Sequence, residues 1–73
     1  MNILQQWLIE QRQKKELTLE QLATRLNQSI SYVLDVESGQ YKLDLVEYLY
    51  YCKALDISPN HGLAHIESNL TSN

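Results

Sequence analysis

The sequence predicts an all-α domain of five short helices. Three observations carry that expectation. Apolar residues recur at helical spacing in one short stretch after another. Thr18, Ser29, Asp44 and Ser58 each stand at the head of such a stretch, where a side-chain oxygen can accept from the free N–H groups of a first turn. Two of these caps are followed three residues later by the partner a capping box needs, Gln21 after Thr18 and Glu47 after Asp44. With 73 residues the chain makes a single domain, 1–73. A chain of that length buries about 60% of its unfolded surface, so its stability leans on a tight core or on a partner.

The first helix carries Ile3, Leu4, Trp7 and Leu8 as an inward stripe, with Asn2 as its cap. Arg12, Lys14 and Lys15 sit toward its C-terminal end, where positive charge complements the helix dipole. Trp7 is read as a core or subunit-contact residue. Thr18 opens the second helix, in which Leu22, Ala23 and Leu26 face inward and Leu17 is placed to pack on Leu22 as a hydrophobic staple. Asn27 tolerates the left-handed conformation that stops a helix. Ser29 caps a third helix over about 30–37, with Tyr32 or Val33 and Val36 inward and Gly39 as its C-terminal glycine. Residues 18–39 therefore lay out two short helices around a polar break at Asn27-Gln28, with a small residue, Ala23, where the two would cross closely. That is a helix-turn-helix unit at about 18–38, in which the second helix enters the DNA major groove.

Asp44 caps the fourth helix, about 44–55, with Leu45, Val46, Leu49, Cys52 and Leu55 on its apolar side. Tyr48, Tyr50 and Tyr51 make this helix apolar over more than one face, which suits either the centre of a bundle or a partner surface. Ser58 and Pro59, as N-cap and first residue, open the fifth helix, about 59–69, with Leu63, Ile66 and Leu70 as its apolar side and a frayed tail at Thr71-Ser72-Asn73. The tyrosines of the fourth helix together with Leu63, Ile66 and Leu70 form the candidate homodimer surface.

Composition narrows the function. The formal charge is −3, from 6 Lys+Arg against 9 Asp+Glu, whereas a duplex binder needs at least a local basic footprint. The N-terminal apolar stretch is broken by Gln5 and Gln6 and has no basic leader, so neither a signal peptide nor a spanning helix is expected and the chain reads as soluble and cytoplasmic. Cys52, the one cysteine, lies in an apolar helical pattern and is read as a buried thiol. His61 and His65 have the i, i+4 spacing that lets two imidazoles reach one zinc, but no further ligand accompanies them and no metal site is assigned. No catalytic grouping and no glycine-rich phosphate loop is present, so neither enzymatic activity nor a cofactor is expected.

Residues 8–67 resemble the Cro/C1-type (XRE-like) helix-turn-helix domain of phage repressors, restriction-modification controller proteins and antitoxin-type regulators. The likeness runs through Leu8, Arg12, Leu17-Thr18, Leu22-Ala23, Leu26, Ser29, Ser31-Tyr32-Val33, Val36-Glu37 and Gly39. It continues through Leu43 to Glu47, Lys53-Ala54-Leu55 and Ile57-Ser58-Pro59. The resemblance implies a compact five-helix, lambda-repressor-like fold that dimerises and binds operator DNA to regulate transcription. The departures gather on the DNA side. Leu19 stands where the family places a phosphate-touching glutamine, Ile30 where it places a polar reader, and Leu34 where it places a small polar residue. Asp35 and Ser38 stand where it places basic residues.

These replacements matter physically. Asp35 is repelled by phosphate and, as a base reader, accepts only from cytosine N4, while Leu19, Ile30 and Leu34 offer contact to thymine methyls at most. Over residues 18–42, Arg25 and Lys42 face Glu20, Asp35 and Glu37, a net −1. The candidate DNA-binding residues are Arg25, Gln28, Ser29, Ile30, Ser31, Gln40 and Lys42. Two functions compete. One is a small homodimeric transcriptional regulator that binds double-stranded DNA. The other is a helix-turn-helix that has given up DNA and binds another regulatory protein, as an antirepressor or regulator partner, through Leu19, Ile30, Leu34 and Asp35 inside an acidic ring of Glu20, Asp35 and Glu37.

Overall fold

The computed structural model describes residues 3–71, so the Asn2 cap and the Ser72-Asn73 end of the expected tail lie outside the described residues. Five helices follow one another: α1 Ile3–Lys14, α2 Leu19–Leu26, α3 Ile30–Ser38, α4 Leu45–Leu55 and α5 Pro59–Thr71. α1 packs on α3 and α5, α2 on α3 and α4, and α4 on α5. No helix among the described residues is long and apolar enough to cross a membrane.

The helix starts are made as their sequence pattern predicts. Thr18 Oγ1 accepts from the Gln21 N–H at 3.0 Å while the Gln21 side chain accepts from the Thr18 N–H at 2.9 Å. Asp44 and Glu47 repeat this reciprocal pair at the head of α4. Helix ends follow a different rule. Glu16, Asn27 and Asp56 all take left-handed backbone conformations, with φ 55 to 56°. In each case the next residue returns its N–H to a carbonyl five residues back: Leu17 to Arg12, Gln28 to Ala23, Ile57 to Cys52. Among the described helix ends only that of α3 is a glycine, Gly39 at φ 87°.

Between these helices Trp7, Leu8, Leu17, Leu22, Ala23, Val33, Val36, Tyr48, Tyr51, Cys52, Ala54 and Leu55 form one core. The thiol of Cys52 is buried, as its sequence context suggests. On α1, Gln5 rather than Ile3 turns inward, because α1 crosses the end of α3 there: a Cβ on Gly39 would sit 3.4 Å from both polar atoms of the Gln5 amide.

The inward face of α4 differs from the expected one. Tyr48, Tyr51, Cys52 and Leu55, spaced i, i+3, i+4, i+7, are buried, whereas Leu45, Val46 and Leu49 point to solvent. A four-residue stripe at helical period outcompetes an adjacent aliphatic row because the tyrosines fill more of the space against α2 and α5. Tyr48 and Tyr51 are therefore core residues, and of the three tyrosines proposed for a dimer surface only Tyr50 is exposed. α5 departs likewise. Leu63 and Leu70 are exposed and Ile66 is half-buried, and the position that α5 buries is Gly62. A Cβ at Gly62 would overlap the Tyr48 hydroxyl and come within 2.8 Å of Trp7 Cζ3. The Tyr48 hydroxyl donates to the Pro59 carbonyl at 2.6 Å and the Trp7 ring stacks on His65 at 6.4 Å, so α5 docks by a bare backbone against two aromatic rings.

Candidate nucleic-acid interface

α2 and α3 meet at the turn Asn27-Gln28-Ser29, with Ala23 buried at the elbow. The Ser29 hydroxyl accepts from the Tyr32 N–H at 3.1 Å and fixes the start of α3. Val33 and Val36 then anchor α3 to the core, and that fixes the opposite face as well. Ile30, Ser31, Leu34, Asp35 and Ser38 form one exposed row at i, i+1, i+4, i+5, i+8. Ile30 is 43% and Leu34 48% exposed, large values for aliphatic side chains on a helix whose other face is fully buried.

Two contacts hold this helix at its angle. The Arg12 guanidinium reaches from α1 to Glu37, with Nε 2.7 Å from Oε2 and Nη2 3.2 Å from Oε1, and its Nη1 donates to the Leu17 carbonyl at 2.8 Å. Both side chains of this fork are largely shielded from water. Glu37 thus faces inward, and the acidic ring expected around the apolar patch loses that member. On the other side the chain after Gly39 folds back over α3. The Tyr41 N–H donates to the Asp35 carbonyl at 3.0 Å, and the Tyr41 ring lies 5.2 Å from that of Tyr32. The Tyr41 hydroxyl donates to Glu47, which pushes its pKa up to about 12. Burial, with the nearby Glu47 and Asp44 carboxylates, raises Tyr32 as well. Local sequence offers one signal of this pairing, an aromatic residue two positions after a helix-ending glycine.

The structure brings Ser29, Ile30 and Ser31 together at the exposed head of α3 and sets Gln40 and Lys42, both exposed, in the loop that follows it. Gln28 is exposed at the turn but lines a shallow groove with Leu26, Tyr32, Glu47 and Tyr50. Arg25 goes elsewhere. Its Nη1 donates to the Ala54 carbonyl at 3.0 Å, at the far end of α4 from Lys42 and therefore about 15 Å along an eleven-residue helix. Arg25 and Lys42 do not form one phosphate-binding pair. Lys15 donates to the Asp56 carbonyl at 3.2 Å, and Lys53 lines the same groove as Arg25. These three cations complement the negative end of α4. Leu19 is half-buried against the core, which removes it from a free apolar patch with Ile30 and Leu34.

With this geometry the comparisons with known proteins are consistent. The helix-turn-helix family model matches residues 8–61. The chain belongs to the XRE-type helix-turn-helix family. Members of this family are DNA-binding transcription regulators rather than enzymes. Among solved structures the fold is similar to an XRE-family like protein from Pseudomonas syringae pv. tomato, with TM-score 0.87 and 29% identity over 94% of this chain and 83% of that one. It is also similar to the restriction-modification controller protein C.AhdI from Aeromonas hydrophila, with TM-score 0.74 and 41% identity over 81% of this chain and 89% of that one. The clp gene regulator ClgR from C. glutamicum shares the fold at TM-score 0.83 and 24% identity, over 96% of this chain and 91% of that one. No curated protein sequence matches the chain. α3 is the second helix of the helix-turn-helix, and the Arg12–Glu37 fork braces it against α1.

Proposed function

We propose that the protein is a cytoplasmic, homodimeric transcription regulator that lays the exposed row of α3 in the major groove of operator DNA. The observation that carries this reading is the position of that row: five outward positions between Ile30 and Ser38 on the outer helix of a braced helix-turn-helix. Similarity at 41% identity to a restriction-modification controller protein supports a regulatory role. The dimer is argued from what α4 and α5 leave uncovered. Leu45 (67%), Leu49, Tyr50, Leu63 and Leu70 (68%) are exposed, and Leu45, Leu63 and Ile66 line one mostly apolar groove with Leu4, Leu43, Tyr48 and the Asp44 cap. An exposed apolar groove of this kind on a small domain marks an interface, and a two-fold dimer built on it would present two α3 helices to one duplex.

The test combines sedimentation equilibrium with duplex titration over a range of salt. A dimer that Leu63→Glu dissociates is expected. So is binding whose salt dependence loses about two counterions per dimer in Lys42→Ala, one for each copy of the lysine. A monomer at all concentrations, or salt-independent binding, would remove the reading. A second reading rests on Ile30, Leu34 and Asp35, an apolar pair beside an acid on a row with no basic side chain: that α3 docks on another regulatory protein. Under that reading Leu34→Lys abolishes a protein complex and strengthens non-specific DNA binding.

A further inference from the structure

The exposed row of α3 is chemically one-sided, and resting on the DNA-binding reading above we infer that it reads the pyrimidine edge of the major groove: thymine C5-methyls through Ile30 and Leu34, and a cytosine N4 amine through Asp35. Direct readout of purines uses a guanidinium or ammonium on guanine O6 and N7, or a carboxamide on adenine N6 and N7. α3, with the sequence ISYVLDVES, contains no arginine, lysine, asparagine or glutamine. Tyr32, Val33, Val36 and Glu37 are turned toward the protein, the last through its fork with Arg12. What remains outward is two aliphatic side chains, two serines and one carboxylate.

Each of these selects by what it lacks. An aliphatic side chain offers no hydrogen bond, and of the major-groove features only the thymine methyl needs none. A carboxylate accepts only, so guanine N7 and O6, adenine N7 and thymine O4 all repel it; the adenine N6 amine lies beside its own N7 acceptor, whereas the cytosine N4 amine lies beside C5–H. Ser31 and Ser38 bond to either kind of group and add little discrimination; the Ser38 hydroxyl already donates to the Asp35 carbonyl at 3.2 Å.

Spacing sharpens the expectation. Ile30 and Leu34 are one helical turn apart, about 6 Å of rise. That is close to two base-pair steps of about 3.4 Å, so the two methyls belong to thymines about two steps apart. Asp35 follows Leu34 by one residue, which places its cytosine beside the second thymine.

The experiment selects binding sites from a random duplex library with the 73-residue chain, then replaces each thymine of the selected site by deoxyuridine. That exchange removes a methyl and nothing else. Two thymines per half-site are expected to show a loss of about fourfold each, the effect of roughly one buried CH₂. Leu34→Ala, at an exposed position outside the core, is expected to lose the same factor on the thymine site and nothing further on the deoxyuridine site. Asp35→Asn is expected to move the preferred base at one position per half-site from cytosine to adenine. A selected site that binds equally with deoxyuridine, or an Asp35→Asn protein with unchanged preference, overturns the inference and leaves the DNA-binding reading standing. If selection enriches no sequence and no duplex is bound, both fall together.

Discussion

Tyr51 and Glu37 show how single side chains set the working geometry of this domain. Tyr51 is fully buried in the core, and its hydroxyl has no hydrogen-bond partner among the described residues. An unpartnered buried hydroxyl costs about 1 kcal/mol or more. Tyr51→Phe is therefore expected to leave stability unchanged or raise it by about 1 kcal/mol, read from urea unfolding; a loss of 1 kcal/mol or more would mean that the hydroxyl is bonded. Glu37 illustrates the limit of counting charges in a sequence. Counted by position it makes the helix-turn-helix acidic, yet the fork with Arg12 cancels it inside the protein and turns it into a brace for α3. Arg12 and Glu37 both belong to the family likeness. Their pairing was not legible, because it joins positions 25 apart and no local pattern reports such a contact.

At the scale of elements, starts were legible and faces were not. Thr18, Ser29 and Asp44 cap their helices with the hydrogen bonds their sequence patterns imply, since capping is local chemistry within four residues. The faces of α4 and α5 depend on what competes for the core. On α4 two adjacent apolar rows were available and the tyrosine-bearing one won. On α5 the docking residue is a glycine, which carries no hydrophobic signal at all. Gly62 makes a specific prediction. Gly62→Ala gains helix propensity of about 1 kcal/mol but forces the Trp7 and Tyr48 rings apart, and overpacking of this kind costs about 1 to 3 kcal/mol. A net loss of stability with reduced Trp7 burial, seen as a red-shifted tryptophan fluorescence, is expected. An unchanged spectrum and a raised unfolding midpoint would contradict the docking described for α5.

Over the whole molecule, charge and apolar surface are distributed unevenly. Lys15, Arg25 and Lys53 collect at the C-terminal end of α4, Lys42 stands alone beside α3, and the apolar excess lies on α4 and α5. A net charge of −3 says nothing of this arrangement, so the domain's overall balance was legible and the placement of its cations was not. The core as a whole also sets a pH window. Burial raises Tyr48 and Tyr51 above the ordinary 10.0 and Cys52 above the ordinary 9.0. All three are neutral acids held protonated by the fold, so the unfolded chain releases its protons first. Their contribution to stability is complete below pH 9 or so and is lost as pH rises through the ordinary values toward the raised ones. The urea midpoint is expected to be level from neutral pH to about 9 and to fall beyond about 10, with tyrosinate absorbance rising in step with unfolding. Two tyrosines that titrate fully before the midpoint moves would place them outside the core.

The central claim is that the Ile30–Ser38 row meets DNA while α4 and α5 meet a second copy. It is tested most directly by following the backbone amide resonances of the isotopically labelled protein during titration with a selected duplex, and separately during dilution. With DNA, shifts are expected at Ser29, Ile30, Ser31, Leu34, Asp35, Gln40 and Lys42; on dilution, at Leu45, Leu49, Leu63 and Leu70. Duplex-induced shifts confined to α4 and α5, with α3 silent, would contradict the account.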